Sequence, residues 1–369
     1  MWRRVSLVIL VSSAAIIFGA LYAIYRLVDP LPPRHIVIAA STAGSGYDNV
    51  AKRYALILAR HGVELEIRHS AGAVGDLNLL RDQASGVQAA LTTFGFTQPA
   101  DMDILYSLGG IYDAAIFIFY RGAEPITMFA QLRGKRIGMG VPGTALRALM
   151  LDVLKATNAL DASTQLIDLD YVTSIDALIS GNVDVAITPA MENVEHTITV
   201  PGIRLMSVAQ AEAIAKTVPG LKHVVLWRGL IDLGRDIPNS DVDLLALRNR
   251  LLVRKELHPA LQYLLLEAMR EVHAASGPFN RLGEFPAEQP NDLPLSATAE
   301  AFYRSGALFW QRYTSFWISS LLSRTVFFVI PVVAALIPLV GFTLSFYRWL
   351  HIRRAGRLNR HWDDEIVSK

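Results

Sequence analysis

The sequence predicts an α/β protein with two lobes, flanked by a membrane-spanning helix near each end. From residue 35 onward, short apolar strands alternate with stretches whose apolar residues recur at helical spacing, and this cycle begins again near residue 135. Outside the alternating region lie two long apolar runs, residues 5–25 and 325–347, and neither contains a charged residue. The alternation is typical of parallel sheets covered by helices, and the apolar runs are typical of membrane helices.

Each apolar run is long enough to cross a membrane, because about 20 residues of helix span the roughly 30 Å of hydrocarbon. Arg3 and Arg4 precede the first run and five arginines follow the second, which predicts both chain ends in the cytoplasm. The residues between the runs would then face the periplasm, and the chain would cross the inner membrane twice. A cleaved signal peptide is the alternative for the first run. A buried core helix is the alternative for the second, where Pro331 and Pro338 favour a membrane helix.

Charge and composition exclude several classes of function. Residues 35–324 contain 25 Lys and Arg against 29 Asp and Glu, a formal charge of −4. An acidic domain without a basic stripe does not favour nucleic-acid binding. The chain of 369 residues contains no cysteine, which excludes thiolate catalysis, cysteine-ligated metals, disulfides and a lipid anchor on cysteine.

The predicted elements form two runs of alternating strand and helix. The first run has strands at 35–40, 63–67, 87–92 and 114–120, with helices at 47–61 and around Leu77, Leu79 and Leu80. The second run has strands at 135–138, 164–169 and 183–187, with helices after 142–144, at 174–180 and at 209–216. Residues 242–253 then return as an extended segment, and a helix at 259–275 follows.

These elements predict six segments along the chain. They are an N-terminal transmembrane anchor and linker (1–34), a first ligand-binding lobe (35–122 with 240–290), a second lobe (123–239), an interfacial amphipathic helix (291–324), a transmembrane helix (325–347) and a basic cytoplasmic tail (348–369). The interfacial helix is inferred from an aromatic stripe that includes Phe302, Trp310 and Trp317, because Trp and Tyr favour headgroup depth. Packing in a protein core is the alternative for such a stripe.

Three turns of similar character follow predicted strands and precede predicted helices: residues 42–47, 70–75 and 140–144. Glycine in each turn lets the backbone approach a ligand, and the first N–H groups of the next helix point outward with the positive end of the helix dipole. Such a place binds carboxylate or phosphate without a cationic side chain. A single turn of this kind is common before any helix, but three of them at the carboxyl ends of parallel strands indicate an anion-binding cleft.

No catalytic or cofactor motif competes with this interpretation. Gly138, Gly140 and Gly143 match GxGxxG, yet no acidic residue ends a strand about 20 positions later, so a dinucleotide site is disfavoured. The sequence has no HExxH motif, Walker loop or GxSxG elbow, and its nine histidines lack metal-ligand spacing. His69, beside the second turn, is the one histidine that we expect near a pocket. We therefore expect no enzyme, no cofactor and no metal, although an active site assembled from distant residues stays open.

Five segments of the chain, taken in their order and spacing, resemble a known family of receptors. They read IAASTAGSGYDNVAKRYA, HSAGAVGDLNLLRDQASGVQAAL, LYSLGGIYDAAIFIFYRG, LRGKRIGMGVPGTALRALMLDVLKA and VDLLALRNRLLVRKELHPALQYLLLEA. Over most of residues 35–320 the chain is similar to the solute-binding subunits of tripartite ATP-independent periplasmic (TRAP) transporters. The resemblance is to the TAXI branch of these subunits, and specifically to its membrane-anchored subgroup.

This resemblance implies a type II periplasmic-binding-protein fold, whose two lobes are joined by two crossings and close over a ligand. It also implies a small carboxylate or an amino acid as ligand, and a membrane permease as the partner that receives it. The ligand contacts that it implies are Thr42, Gly44, Ser45, Gly46, Tyr47, Ser70, Gly72, Ala73, Val74, Asn78, Thr93, Tyr112, Gly143, Thr144, Thr188 and Pro189. Ala73 departs from the family pattern, in which a serine is common at this place.

Two other functions stay open at the level of sequence. A membrane-anchored sensor or scaffold would use the same cleft to signal through its membrane helices, although the short C-terminal tail carries no recognisable output domain. An anchored enzyme would instead turn over the ligand that it binds.

Overall fold

The computed structural model describes residue 19 and residues 32–189, 194–288 and 292–305. Within these residues no helix combines the length and the hydropathy that crossing a membrane requires. The predicted membrane segments at 5–25 and 325–347 and the predicted tail lie outside the described residues, apart from residue 19. The described residues from Pro33 onward belong to one compact unit.

Strands and helices alternate along most of this unit, which confirms the predicted α/β class. The strands are β1 (His35–Ala39), β2 (Glu64–Arg68), β3 (Ala89–Thr93), β4 (Leu105–Arg121), β5 (Arg136–Gly138), β6 (Gln165–Ile167), β7 (Val185–Thr188), β8 (Ile203–Leu205), β9 (Leu221–Leu226) and β10 (Val242–Arg254). The helices are α1 (Gly46–Ala59), α2 (Ala73–Arg81), α3 (Asp101–Ile104), α4 (Ala145–Ala156), α5 (Tyr171–Ser180), α6 (Val194–Ile198), α7 (Ala211–Thr217), α8 (Pro259–His273) and α9 (Ala297–Ser305).

The strands form one hydrogen-bonded sheet in the order β2-β1-β3-β10-β4-β7-β5-β6, with β8 on β4 and β9 on β10. β1 runs parallel to β2 and β3, and β5 runs parallel to β6 and β7, as the alternating pattern predicts. The prediction of wholly parallel sheets is wrong at the centre, where β4 and β10 run antiparallel to their neighbours and to each other. β4 carries the chain from one half of the sheet to the other and β10 carries it back, so the two strands run in opposite directions.

β4 and β10 each belong to both halves of the sheet. Residues 105–116 of β4 pair with β10, whereas residues 117–120 pair with β7. In β10, residues 249–253 pair with β3 and residues 242–247 pair with β9. We therefore call β2-β1-β3 the first half of the sheet and β7-β5-β6 the second half. The halves are joined into one sheet instead of forming separate sheets, because a long strand can pair with different partners along its length.

The first part of β4 and the whole of β9 were not predicted from the sequence. Gly109 and Gly110 interrupt the apolar pattern of β4, and glycine is unfavourable inside a strand. The cross-strand register holds both glycines in place opposite Leu251 and Arg250 of β10. Tertiary pairing therefore overrides the local preference at this point.

The apolar core lies on both faces of the sheet, as expected for strands covered by helices. Phe117 and Phe119 of β4 are fully buried on one face. On the other face, α4 contributes Leu149 and Val153, which are four residues apart and therefore lie on one side of the helix. The core thus fixes the position of α4 and of the turn that precedes it.

The described start of the segment predicted as an interfacial helix is α9, which packs on the domain through its aromatic side chains. In α9, Phe302 is buried and its ring packs edge-on against Tyr263, with the ring centroids 5.7 Å apart. The hydroxyl of Tyr303 donates a hydrogen bond of 2.7 Å to the carbonyl oxygen of Leu108. These aromatic side chains pack on α8 and β4, because both elements offer apolar surface to them. Residues 306–324 lie outside the described residues.

Candidate functional site

The three glycine-containing turns lie between strands and helices, as predicted. The first turn (residues 42–47) connects β1 to α1, the second (70–75) connects β2 to α2, and the third (140–144) connects β5 to α4. Because β1 and β2 are parallel neighbours, the first and second turns lie at the same edge of the sheet. The third turn belongs to the second half of the sheet, which is reached through β4.

Each turn leads into the N-terminus of a helix. Ser45 caps α1 by accepting a hydrogen bond from the backbone N–H of Asp48, and Thr144 caps α4 by accepting one from Arg147. Gly72 caps α2 with a φ of 149°, a conformation that side-chain-bearing residues rarely adopt. The first N–H groups of a helix have no partner within the helix, so these three ends can donate hydrogen bonds to an anion.

The second and third turns touch each other. A Cβ atom built on Gly72 would lie 2.5 Å from the carbonyl oxygen of Gly143 and 3.1 Å from the Cα of Thr144. A Cβ built on Gly143 would lie 3.4 Å from the Cβ of Ala71. Glycine at position 72 is therefore required by close approach as well as by backbone conformation. Since the two turns follow β2 and β5, this contact joins the two halves of the sheet at the predicted cleft.

Asp48 connects the first turn to His69, which lies between the end of β2 and the second turn. Its carboxylate is fully buried, and Oδ2 accepts hydrogen bonds of 2.7 Å from the Gly44 N–H and from Lys52 Nζ. Oδ1 lies 3.0 Å from Nε2 of His69. Hydrogen bonds from Lys52, His69 and Gly44, in that order, hold the pKa of Asp48 well below its usual range. His69, the predicted pocket histidine, thus contacts a carboxylate between the two turns.

Asp76 joins the first and second turns from the other side. It lies in the first turn of α2 and is fully buried. The backbone N–H of Ser41 lies 2.8 Å from each of its carboxylate oxygens, and the Ser70 hydroxyl donates to Oδ1 at 2.7 Å. Burial raises the pKa of Asp76 to about 6, although the hydrogen bonds from Ser41 and Ser70 oppose this rise.

Three tyrosines from three elements lie close together near the turns, and we call them the tyrosine cluster: Tyr47 of α1, Tyr112 of β4 and Tyr171 of α5. Burial raises the pKa of Tyr47, and the nearby Tyr112, Asp76 and Tyr171 raise it further. The Tyr112 hydroxyl lies 3.8 Å from the position of a Cβ on Gly46, at the first residue of α1. It makes no hydrogen bond to any described residue, so it can bond to a ligand there.

A hydrogen-bond network connects Tyr47 of the tyrosine cluster to Asn249 of β10. The Tyr47 hydroxyl donates to Oδ1 of Asn249 in β10 and lies 2.9 Å from Oγ1 of Thr93. The Thr93 hydroxyl donates to the same amide oxygen at 3.1 Å. The register of β10 against β4 shifts directly after Asn249, so the network lies where the strand changes its pairing.

Tyr112 is supported from behind by a buried histidine. The ring of His273, the last residue of α8, stacks on Tyr112 with centroids 5.6 Å apart. Its Nε2 lies 2.9 Å from the hydroxyl of Tyr54. Burial, with a smaller effect from Arg53, lowers the pKa of His273 to about 3, so its imidazole is neutral at pH 7.

The third turn is held by Arg147. Its guanidinium donates a hydrogen bond of 3.0 Å to the Gly140 carbonyl and pairs with Asp168 at 2.6 Å. A Cβ built on Gly140 would lie 2.9 Å from Cε1 of Tyr171 and 3.3 Å from Oγ1 of Thr144, so both side chains lie against this turn. The third turn is thereby connected to the tyrosine cluster.

The remaining predicted contacts differ in their surroundings. Thr188 is buried at the end of β7, opposite Phe117, and the half-buried Pro189 follows it. The carbonyl of Ala73 accepts a hydrogen bond from Thr92 at 3.2 Å, within the first half of the sheet. Asn78 is exposed, and its Oδ1 accepts a hydrogen bond of 2.9 Å from Arg81.

Sequence reasoning missed several residues that build this site: Asp48, Asp76, Arg147, Tyr171, Asn249 and His273. Asp48 and Asp76 carried a weak signal, because acidic residues are common in the first turn of any helix. Asn249 and His273 carried none, since they lie about 200 positions from their partners Tyr47 and Tyr54 in the sequence.

The arrangement favours binding of an anion by neutral donors. The helix N–H groups and the Tyr112 hydroxyl remain as donors, while the carboxylates, Arg147 and the hydroxyls of Tyr47, Ser70 and Thr93 bond to the protein itself. Among the described ranges, no group of three or more His, Asp or Glu side chains could hold a metal ion.

Comparisons with solved structures find likenesses at low identity. An ancestral arginine-binding protein bound to arginine is 15% identical, with a TM-score of 0.40 over 65% of this chain and 92% of that chain. The aliphatic sulphonate binding protein SsuA from Escherichia coli is 17% identical, with a TM-score of 0.41 over 79% of this chain and 75% of that chain. Holo ArgBP from T. maritima is 15% identical, with a TM-score of 0.39 over 66% of this chain and 92% of that chain. Scores of this size carry no conclusion about the ligand.

No curated protein sequence shows a significant match to this chain. The sequence profile of the NMT1-like family matches residues 38–304, which include nearly all of the strands described above. The chain has an α/β fold in which two strands, β4 and β10, are shared between the halves of one sheet. This chain belongs to the NMT1-like family.

Proposed function

We propose that this chain is a membrane-tethered, extracytoplasmic solute receptor that binds a small carboxylate or an amino acid and delivers it to a TRAP-type permease. The ligand lies between the two halves of the sheet, against the tyrosine cluster and the N-termini of α1, α2 and α4. The resemblance of the five sequence segments supports the proposed permease partner and the proposed membership in the TAXI branch. Membrane tethering is carried by the two apolar runs at the ends of the chain.

The observation that carries the binding function is the contact between Gly72 and Gly143 beside the tyrosine cluster. It brings together turns from opposite halves of the sheet, each leading into a helix N-terminus. A carboxylate placed there receives backbone N–H groups and the Tyr112 hydroxyl as donors, and charge-assisted hydrogen bonds of this kind are strong. Two halves joined by two strands can also separate and close around a ligand.

A thermal-shift screen of the full-length chain tests this function. The ligands are pyruvate, succinate and L-glutamate, and succinamide is the neutral control for succinate. A ligand present at 100 times its Kd should stabilise the fold by about 2.7 kcal/mol. If none of the three anions raises the melting temperature above that of succinamide, the proposed carboxylate site is wrong.

A pair of substitutions in one strand locates the site. Tyr112→Phe removes a hydroxyl that has no partner among the described residues, and Tyr106→Phe makes the same change elsewhere on β4, where the ring lies under Lys255. Loss of one hydrogen bond to a charged carboxylate should weaken ligand binding by roughly 12- to 160-fold in Tyr112→Phe. Binding by Tyr106→Phe should equal that of the wild type. Equal affinities in both variants would remove Tyr112 from the site.

The proposed membrane orientation can be tested because the chain has no native cysteine. Leu233→Cys places a thiol at a position that is 87% exposed, and Lys369→Cys places one at the end of the chain. A membrane-impermeant maleimide added to spheroplasts should label the first variant, and should label the second after the membrane is permeabilised. Labelling of both, or of neither, in intact spheroplasts contradicts the proposed topology.

A further inference from the structure

Asp76 is the group that connects the first and second turns, and it does so through the backbone of Ser41. Ser41 has a φ of 57°, in the left-handed region that a residue with a side chain rarely adopts. Its N–H donates to Asp76, while its carbonyl accepts a hydrogen bond of 3.0 Å from the N–H of Ser70. The carboxylate therefore holds the backbone from which the first turn begins.

The Ser70 hydroxyl lies between Asp76 and the cap of α2. Its oxygen is 2.7 Å from Oδ1 of Asp76 and 2.9 Å from the carbonyl oxygen of Gly72, and it accepts a hydrogen bond of 3.1 Å from the Gly72 N–H. A hydroxyl has a single hydrogen, so it donates to one of these acceptors at a time. When Asp76 is ionised, Ser70 donates to the carboxylate. When Asp76 is protonated, the carboxyl group donates to Ser70, and Ser70 donates to Gly72.

Few ionisable groups face Asp76. His69, from the segment before the second turn, is near enough to act on it electrostatically, and His69 itself contacts Asp48 of α1. Tyr47, also of α1, responds to the charge of Asp76. The adjacent strand β3 contributes Thr92, whose hydroxyl bonds to the backbone of α2, and the third turn contributes Gly143 and Thr144. Lys52 pairs with Asp48 on the far side of that carboxylate.

We propose that Asp76 couples ligand binding to proton uptake, so that an anion held at the N-termini of α1 and α2 binds together with one proton on Asp76. This inference rests on the proposed carboxylate-binding function. The Asp76 carboxylate lies in the first turn of α2 and accepts a hydrogen bond from Ser41, directly before the first glycine turn, so a ligand anion at these helix ends lies near its charge. A ligand anion and an ionised Asp76 repel each other, and protonation of Asp76 removes this repulsion without breaking the connection to Ser70.

The position of Asp76 makes this coupling relevant near neutral pH. Burial raises the pKa of Asp76 to about 6, which is unusual for an aspartate and places its titration within a physiological range. A bound anion raises the pKa further, because it disfavours the ionised form. By linkage, a complex that holds more protons than the free protein binds its ligand more tightly as the pH falls.

The wild-type chain provides the first test. Calorimetric titrations with pyruvate and L-glutamate between about pH 5.5 and about pH 7.5 keep the ligand carboxylates largely ionised. We expect Kd at the lower pH to be roughly three- to sixfold smaller than at the higher pH, with a net uptake of protons on binding. A Kd that is constant over this range, or that increases as the pH falls, overturns the proposal.

The Asp76→Asn variant removes the negative charge at position 76 but keeps the hydrogen bonds that connect the two turns. The amide oxygen can accept from Ser41, and the amide N–H can donate to Ser70, so Asn resembles the protonated aspartate. We expect this variant to bind pyruvate and L-glutamate with a Kd that does not depend on pH and that matches the wild type at its lower pH. A purely structural role for Asp76 predicts weaker binding at every pH instead. Asp103→Asn, an exposed site with the same charge change, should keep the pH dependence of the wild type.

A measurement without ligand checks the titration of Asp76 itself. Because the raised pKa disfavours the ionised form in the fold, Asp76→Asn should gain stability relative to the wild type as the pH rises from about 5 to about 7.5. A stability difference that does not change with pH overturns the coupling even if a ligand binds. Failure of both anions to bind at any pH contradicts the proposed function, whereas binding without pH dependence contradicts only the role of Asp76.

Discussion

Gly72 lies so close to Gly143 that a single methyl group at position 72 would collide with the opposite turn. The distance from a Cβ atom at that position to the Gly143 carbonyl oxygen would be 2.5 Å, and the Gly72 φ of 149° excludes most other residues on backbone grounds alone. The two residues come from opposite halves of the sheet, about 70 positions apart in the sequence. Their contact defines where the halves meet at the proposed site.

Gly72→Ala should therefore both destabilise the chain and weaken ligand binding. The methyl group has to displace backbone atoms of the third turn, which cannot move as an exposed side chain would. We expect the unfolding free energy to fall by about 1–3 kcal/mol, since the backbone is also strained. Chemical denaturation measures the stability, and titration with L-glutamate measures the binding.

Gly86→Ala is the matched control for this change. Gly86 also has a positive φ, 71°, but nothing lies within 4 Å of a Cβ at that position. It should show the backbone cost of about 1 kcal/mol without any effect on ligand affinity. If both variants bind L-glutamate equally well, the contact between the turns does not contribute to the site.

Tyr47→Phe should remove one donor from the network with Thr93 and Asn249. The Asn249 side chain is almost fully buried, and its Oδ1 would retain the hydrogen bond from Thr93 alone. We expect a loss of about 0.5–1.5 kcal/mol in unfolding free energy. Combining Tyr47→Phe with Thr93→Val in a double-mutant cycle should give a coupling energy of at least about 0.5 kcal/mol. Additive effects would show that the two hydroxyls do not share this acceptor.

Asp48→Asn should cost more stability than Asp152→Asn, although both aspartates pair with a lysine on a helix. Asp48 is buried and also bonds to Gly44 and His69, whereas Asp152 is exposed and lies 3.9 Å from Lys155. We expect a loss of about 1–3 kcal/mol for the first and less than about 0.5 kcal/mol for the second.

The cost of Asp48→Asn should also depend on pH. The pKa of Asp48 is lowered in the fold, so its ionised form stabilises the protein above the unfolded pKa of about 3.9. This stabilisation is lost as the pH falls below that value toward the folded pKa. Denaturation of both proteins at decreasing pH should therefore show the difference shrinking below about pH 4. A difference that grows on acidification would contradict the assigned hydrogen bonds.

His273 should make the fold sensitive to mild acid. Its folded pKa of about 3 lies below the value of about 6.5 in an unfolded chain, so the unfolded state binds the extra proton first. The neutral His273 imidazole contributes its full stabilisation above about pH 6.5, and this contribution is lost progressively as the pH falls toward about 3. His273→Gln can still bond to Tyr54 and should reduce this acid sensitivity, while the exposed His61→Gln should not. Identical pH profiles for the wild type and His273→Gln would contradict this expectation.

Local sequence patterns were sufficient for the alternation of elements and for the three turns. The apolar residues of α1 and α4 recur at helical spacing, and Ser45 and Thr144 have side chains that suit helix caps. These features depend on contacts between residues that are near in sequence. The first part of β4 was missed because its glycines are held by pairing with β10, which lies about 140 positions further along the chain.

The residues that support the site could not be identified from local sequence patterns either. Asp48 and Asp76 look in the sequence like ordinary acidic residues near helix starts, and nothing local says that both become buried between two turns. Phe302 belongs to an aromatic stripe that suits a membrane interface as well as a core, and the sequence does not specify its contact with Tyr263. In each case the deciding partner comes from another element.

The sequence by itself determined the α/β class, the two long apolar runs near the chain ends, the absence of cysteine and the positions of the three glycine turns. All of these follow from composition or from periodicity within a few residues. Only the tertiary structure decided that Gly72 meets Gly143, that Tyr47 bonds to Asn249, and that Asp76 holds Ser41. Each of these contacts depends on packing and strand pairing between distant segments, and the local properties of a residue do not specify which distant partner it will bury.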